Sequence, residues 1–283
     1  MLVDKSLGEN QTIVARFIKT ATLPFLLLWC WQPALAQQSF DHSLWQQLLE
    51  QHVLLFNQER ASQVDYAGMV EDRDQLGTYL QALAGINEET FSAWSEMEQL
   101  AFLLNAYNAW TVELILTEFP NLESIRDLGS LFRSPWSRRF VPLFGEQVSL
   151  DHIEHELIRG PEGYGEPRIH FAVNCASIGC PALRQEAYVA DRLEQQLEEA
   201  TRLFLADKSR NRLDGNTLRV SEIFDWYKED FEQGWRGSNS VGQFLALYQD
   251  ALELPDSVVS DLEEGEFRIR NLKYDWSLNS LSD

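Results

Sequence analysis

Apolar positions recur over residues 41–56, Leu44, Leu48, Val53 and Leu55 among them, and predict an amphipathic helix. Val64-Asp65-Tyr66 reads as a short extended link into a second helix over 66–83 that ends near Gly85. Ser95 and Glu98 form a capping box ahead of a long apolar run, so a helix is expected from Glu96 to about Phe119, where Pro120 stops it. Segments 140–143 and 147–149 flank Phe144-Gly145-Glu146 and predict a hairpin. A helix over 150–159 is closed by Gly160-Pro161. Residues 169–173 alternate as a strand, and a charged helix is expected over 187–207. Further on, the turn Asp214-Gly215-Asn216 leads into a brief strand at 218–220. A helix over 241–252 and strands over 267–271 and 274–278 follow.

Helices outnumber strands and do not alternate with them regularly. The fold class expected is therefore α+β: a single, mostly helical domain with a small antiparallel sheet. No repeat or long linker divides the chain. Residues 1–36 read as a signal peptide. Arg16 and Lys19 precede an apolar run over 21–31, and Ala34-Leu35-Ala36 is a cleavage motif. The run is too short to span a bilayer. The expectation is cleavage after Ala36, no membrane span afterwards, a periplasmic or secreted location, and one domain over 37–283. The net charge of −21 is spread along the chain and offers no basic stripe, which argues against a nucleic-acid partner.

Cleavage would leave two cysteines, Cys175 and Cys180, in the loop that follows the strand expected at 169–173. Export makes a Cys175–Cys180 disulfide one reading. A catalytic thiol is another, because Ala176, Ser177 and Gly179 supply small residues and backbone amides near an attacking sulfur. Strand alternation would put Cys175 and Phe171 on one face and His170 on the other, which favours His155, from the preceding helix, as the partner of Cys175. His170, Ser177, Arg159 and Glu154 are then candidates for substrate binding. Asn105 and Asn108 share one face of an apolar helix and need interior partners. One role for them, by analogy with papain- or transglutaminase-like enzymes, is to orient the histidine or steady an oxyanion. A third reading is a metal site using His152 and His155 with Cys175 or Cys180, although no H-E-x-x-H motif is present. Trp226, Tyr227, Trp235, Tyr248 and Trp276 are read as core residues ahead of a carbohydrate platform.

Taken in order, several short motifs resemble the domain of unknown function 547 family. They are Val64-Asp65-Tyr66, Asn105-Ala106-Tyr107-Asn108, Ile153-Glu154-His155 with Ile158-Arg159, His170-Phe171-Ala172 with Cys175, Ser177 and Pro181, and Tyr274-Asp275-Trp276-Ser277-Leu278-Asn279. The resemblance implies exported relatives and no defined chemistry. It also implies that the first cysteine belongs to the family pattern while the second can be serine, which raises the thiol reading beside the disulfide. The expectation carried forward is a cysteine–histidine hydrolase or acyltransferase acting on amide or peptide-like bonds without a cofactor. Its rival is a non-catalytic binding module with a Cys175–Cys180 disulfide. In either case the partner would be a small-molecule or peptide-like ligand.

Overall fold

The computed structural model describes residues 39–130, 133–161 and 163–281. The segment read as a signal peptide and the cleavage expected after Ala36 lie outside them.

Helix α1 (Ser43–His52) buries Trp45, Leu48 and Leu49. It is shorter than expected, because residues 53–56 pair as a strand instead. β1 (Val53–Phe56) runs antiparallel to β2 (Ala61–Val64) across a turn in which Asn57, Gln58 and Glu59 all take positive φ. The expected helix over 66–83 is divided into α2 (Tyr66–Glu71) and α3 (Arg73–Ala84). The break falls at Asp72, whose carboxylate takes a 2.8 Å bond from His52 Nε2.

A one-turn helix α4 (Glu88–Ser92) precedes α5 (Glu96–Leu116). The capping box expected for α5 is present, with Ser95 N donating to Glu98 Oε2 at 3.0 Å and Glu98 N to Ser95 Oγ at 3.3 Å. From Leu100 to Val112 every residue of α5 is buried. A helix that is buried all round belongs in the centre of a core, and α5 is the axis of this one.

The expected hairpin is β3 (Val141–Leu143) against β4 (Glu146–Val148). Next comes a π-helix over His152–Ile158. The strand expected at 169–173 is instead a 3-10 turn, Pro167–Phe171. Pro167 sets its first φ, and Glu166 Oε1 accepts from Arg168 N at 3.0 Å, so local capping outweighs the alternating pattern. Helix α6 (Leu193–Ala206) starts later than expected because residues 187–189 bond across to other elements.

β5 (Arg212–Asp214) and β6 (Thr217–Ser221) form an antiparallel hairpin. Helices α7 (Ile223–Trp226) and α8 (Lys228–Phe231) follow. The expected helix over 241–252 is split into α9 (Val241–Ala246) and α10 (Gln249–Leu252), and α11 (Asp256–Glu264) is an addition. β7 (Arg268–Leu272) joins β6 in parallel, Leu218 opposite Ile269, so the sheet is mixed rather than wholly antiparallel. Residues 274–278 form no strand, and their one bridge is Ser177 to Leu278.

The fold is thus α+β, helix-rich with small sheets. Two apolar clusters hold it together. One surrounds α5, and the other is built on Phe171, Phe204, Phe231 and Phe244. The segment from Pro167 to Cys180 passes between them, with Ile169 and Val173 in the first and Phe171 in the second.

Candidate functional site

The π-helix shapes one wall of the site. Arg159 N bonds to Glu154 O at 3.0 Å, a five-residue step that widens the turn. Glu154 points inward and is only 5% exposed, while His155 stays at the surface. Glu154 lies against the hydroxyls of Tyr107 and Tyr227. Burial, reinforced by the Glu154 charge, pushes both phenols well above the usual tyrosine range.

His170 is buried, and its Nε2 donates to Asp230 Oδ2 at 2.7 Å. The ring stacks on Tyr227, with centroids 3.8 Å apart. Asp230 also receives Arg159, at 2.5 Å from Nε and 3.1 Å from Nη2. Burial alone would raise the Asp230 pKa, but the hydrogen bonds and charges of His170 and Arg159 hold it well below the usual carboxylate range. Burial lowers the His170 pKa against the pull of Asp230, which favours a neutral ring. With Nε2–H committed to Asp230, the Nδ1 lone pair is an acceptor, and it has no hydrogen-bond partner among the described residues. His155 is held differently: its Nδ1 accepts from Arg159 Nη1 at 2.6 Å, and its Nε2 lies 4.0 Å from Asp151 Oδ1.

Cys175 and Cys180 are joined by a disulfide, with an S–S distance of 2.09 Å. The Tyr274 hydroxyl sits 3.2 Å from Cys175 Sγ and 3.3 Å from Cys180 Sγ. Ser177 Oγ lies 3.2 Å from Cys175 Sγ. Three amides of the loop are engaged within the fold. Ile178 N donates to Ser277 O and Gly179 N to Asp275 O, both at 2.8 Å, and Cys180 N donates to Ser177 O at 3.0 Å. The 274–281 segment uses the Ile178 and Gly179 amides to fasten itself to the loop.

Asn105 and Asn108 serve backbone rather than histidine. Asn105 Nδ2 donates to Tyr188 O at 2.8 Å, and its Oδ1 accepts from Tyr188 N at 3.0 Å. Asn108 holds Ala172 O at 3.0 Å and Asn174 N at 2.8 Å. Asn174 Oδ1 then accepts from Ala176 N at 2.9 Å, and Asn279 Oδ1 accepts from the Tyr66 hydroxyl at 2.7 Å. Together these amides fix the cysteine loop between α5 and the C-terminal segment.

The parts meet at a cavity of about 160 Å³. Glu154, His155, His170, Cys175 and Cys180 all line it, so residues spread over 27 positions of sequence share one surface. Ser177 is buried behind the sulfurs, and Arg159 stands behind Asp230 and over the Tyr227 ring, 4.8 Å from its centroid. His152 is not among the lining residues. Among the described residues no group of three or more His, Cys, Asp or Glu converges as metal ligands would. Sequence reading passed over Asp230, whose only signal is its negative charge in a charged stretch. It also placed Trp226, Tyr227 and Trp276 in the core, whereas all three line the cavity. Trp235 packs against the Arg168 and Arg236 guanidinium groups, and Tyr248 is buried in the second cluster.

Fold and site define a single α+β domain with an aromatic pocket built around a bonded pair of cysteines. Residues 91–205 match the family model described as Protein of unknown function, DUF547. Tyr227, Asp230, Tyr274 and Trp276 lie beyond the matched stretch. No curated protein and no solved structure matches the chain. Among the described residues no helix is long and apolar enough to cross a membrane.

Proposed function

We propose that the cavity is a binding pocket for a small or peptide-like ligand, with the Cys175–Cys180 bond as part of its wall, in a protein exported to the periplasm or beyond. The observation that carries this reading is the pair of buried acceptors, Glu154 Oε1 and His170 Nδ1, that have no partner among the described residues although both side chains line the cavity. Leaving such atoms unpaired costs about 1–3 kcal/mol each, a loss that a ligand would recover.

A second reading is a latent thiol hydrolase or acyltransferase for amide or peptide-like bonds. Two features support it: the Asp230–His170 pair has the form of a base held by a carboxylate, and Cys175 shares its cavity. His170, rather than His155, is then the base, because His155 Nδ1 is taken by Arg159. A dithiol reductant would first cleave the disulfide. His170 Nδ1 would take the Cys175 proton, the thiolate would attack the carbonyl, the amine would leave with that proton, and water would hydrolyse the thioester to release the acid and restore the Cys175 thiol.

One experiment separates the two. Chromogenic amides and esters are assayed before and after dithiothreitol, with intact mass following the disulfide. The enzyme reading expects turnover only after reduction, turnover without reductant in Cys180→Ser, and none in Cys175→Ser. Equal activity in Cys175→Ser would end it. The binding reading expects no turnover in any form and slower reduction of the disulfide when ligand is present. Reduction itself should cost about 2 kcal/mol of stability, because the bridge closes only a short loop.

A further inference from the structure

The cavity wall has a definite polarity. Beside the phenols of Tyr107, Tyr227 and Tyr274, its ionisable lining groups are Asp151, Glu154, His155 and His170, and among the described residues no lysine or arginine lines it. Aromatic rings make up much of the remaining wall. Trp226 lies 4.8 Å from Tyr274 and 5.5 Å from Trp276, and Tyr274 lies 4.6 Å from Trp276, all centroid to centroid. Arg126 sits 5.3 Å from the Trp276 ring and Arg159 4.8 Å from the Tyr227 ring, but neither arginine belongs to the cavity lining. Carboxylates and π faces together favour a cation.

The two unpartnered atoms narrow the choice. Glu154 is 5% exposed and His170 2%, so neither is free to turn to bulk water. Glu154 Oε1 is an acceptor, and His170 Nδ1 is one because Nε2–H is held by Asp230. A group that satisfies both must donate at least two hydrogen bonds. A neutral carbonyl or a carboxylate fails that test, and an alcohol supplies one donor. A protonated amine supplies up to three donors and the positive charge. A cavity of about 160 Å³ holds an ammonium with a few methylenes, and Trp226, 43% exposed, marks the side on which a longer ligand would emerge.

We infer that the pocket binds a protonated primary amine, its N–H groups donating to Glu154 Oε1 and His170 Nδ1 and its methylenes lying against Trp226, Tyr274 and Trp276. This rests on the binding reading above and names the ligand class for it. The protein's charge of −21 adds a long-range attraction for cations. The amine belongs either to a free small molecule or to the amino terminus of a peptide.

The test is a calorimetric titration of the disulfide form, with tryptophan fluorescence as a second readout. The probes are butylamine, butanol, butyrate, a dialanine amide with a free amino terminus and its N-acetylated counterpart. Saturable binding of butylamine without butanol or butyrate supports the inference and identifies a free-amine site. Binding of the dialanine amide, lost on acetylation, supports it and identifies a peptide terminus. Glu154→Gln should weaken the amine at least tenfold. Trp226→Ala, at a half-exposed position that leaves the core intact, should weaken it several-fold. Equal binding of butanol, or of the acetylated peptide, overturns the ammonium inference and keeps the pocket. No binding of any probe, with no slowing of disulfide reduction, overturns both.

Discussion

Asp230 joins the Arg159 guanidinium to the His170 ring, and these neighbours give it more consequence than its position in sequence suggests. Arg159 and His170 reach it from different segments, and both are largely buried. Removing the charge leaves a guanidinium without its anion in a place of low dielectric. Asp230→Asn should therefore cost about 2–4 kcal/mol, read as a shift of the urea midpoint. Glu229→Gln, next door but exposed, should change stability by no more than about 0.5 kcal/mol. Equal midpoints for the two variants would show that Asp230 has no structural role. Asn108 illustrates a role that composition alone left open. Its apolar surroundings on α5 required an internal partner, which made an interior contact legible, but two readings fitted. The structure assigns the amide to Ala172 O and Asn174 N, so it shapes the cysteine loop and does not touch an imidazole.

At the scale of elements, the long amphipathic and apolar runs were readable because burial dominates them: α5, its capping box and the hairpin over 140–149 needed no distant information. The stretch 169–173 was misread because alternation is a weak signal over five residues, and Glu166 and Pro167 impose a tight turn through local bonds. That error carried a consequence, since strand alternation was the argument against pairing His170 with Cys175. The cavity itself was less legible. Its far wall comes from residues 223–227 and 274–276, and only tertiary contact brings these to the cysteine loop. Gly179 tests that contact. A Cβ there would stand 2.7 Å from Cε1 of Tyr274, so the ring that touches both sulfurs would have to move. Gly179→Ala should destabilise by about 1–3 kcal/mol through overpacking. It should also shift tryptophan emission, since Tyr274 packs on Trp226 and Trp276. Gly77→Ala, with open space around it in α3, should instead stabilise by about 0.5–1 kcal/mol. An unchanged midpoint and spectrum in Gly179→Ala would mean that the segment does not hold the loop as described.

For the whole molecule, the response to acid follows from which groups folding removes from water. His42 bonds through Nδ1 to the Tyr79 hydroxyl at 2.7 Å, and burial lowers its pKa from 6.5 to about 4. The unfolded chain then binds a proton near pH 6.5 that the folded chain refuses, so stability is lost as pH falls below 6.5 and the loss is complete near pH 4. Between pH 7.5 and 5 this one group accounts for about 2 kcal/mol. His170, also lowered by burial, acts in the same direction, and Asp230, held low, adds a further loss below about pH 4. Two effects oppose these. Asp151 is raised by burial and favours the folded state as it protonates, and acid relieves the repulsion within a chain of charge −21. The net slope is therefore a poor readout of any one group, whereas a difference in slope isolates it. His42→Phe removes the titration and leaves the other groups in place, although it also strands the Tyr79 hydroxyl and lowers stability at every pH. Chemical denaturation at pH 7.5 and pH 5 should show the wild type losing about 2 kcal/mol more than the variant over that interval. Parallel losses in the two proteins would mean that His42 takes up its proton in the folded state as readily as in the unfolded one, and that acid sensitivity originates at His170 and the site around it.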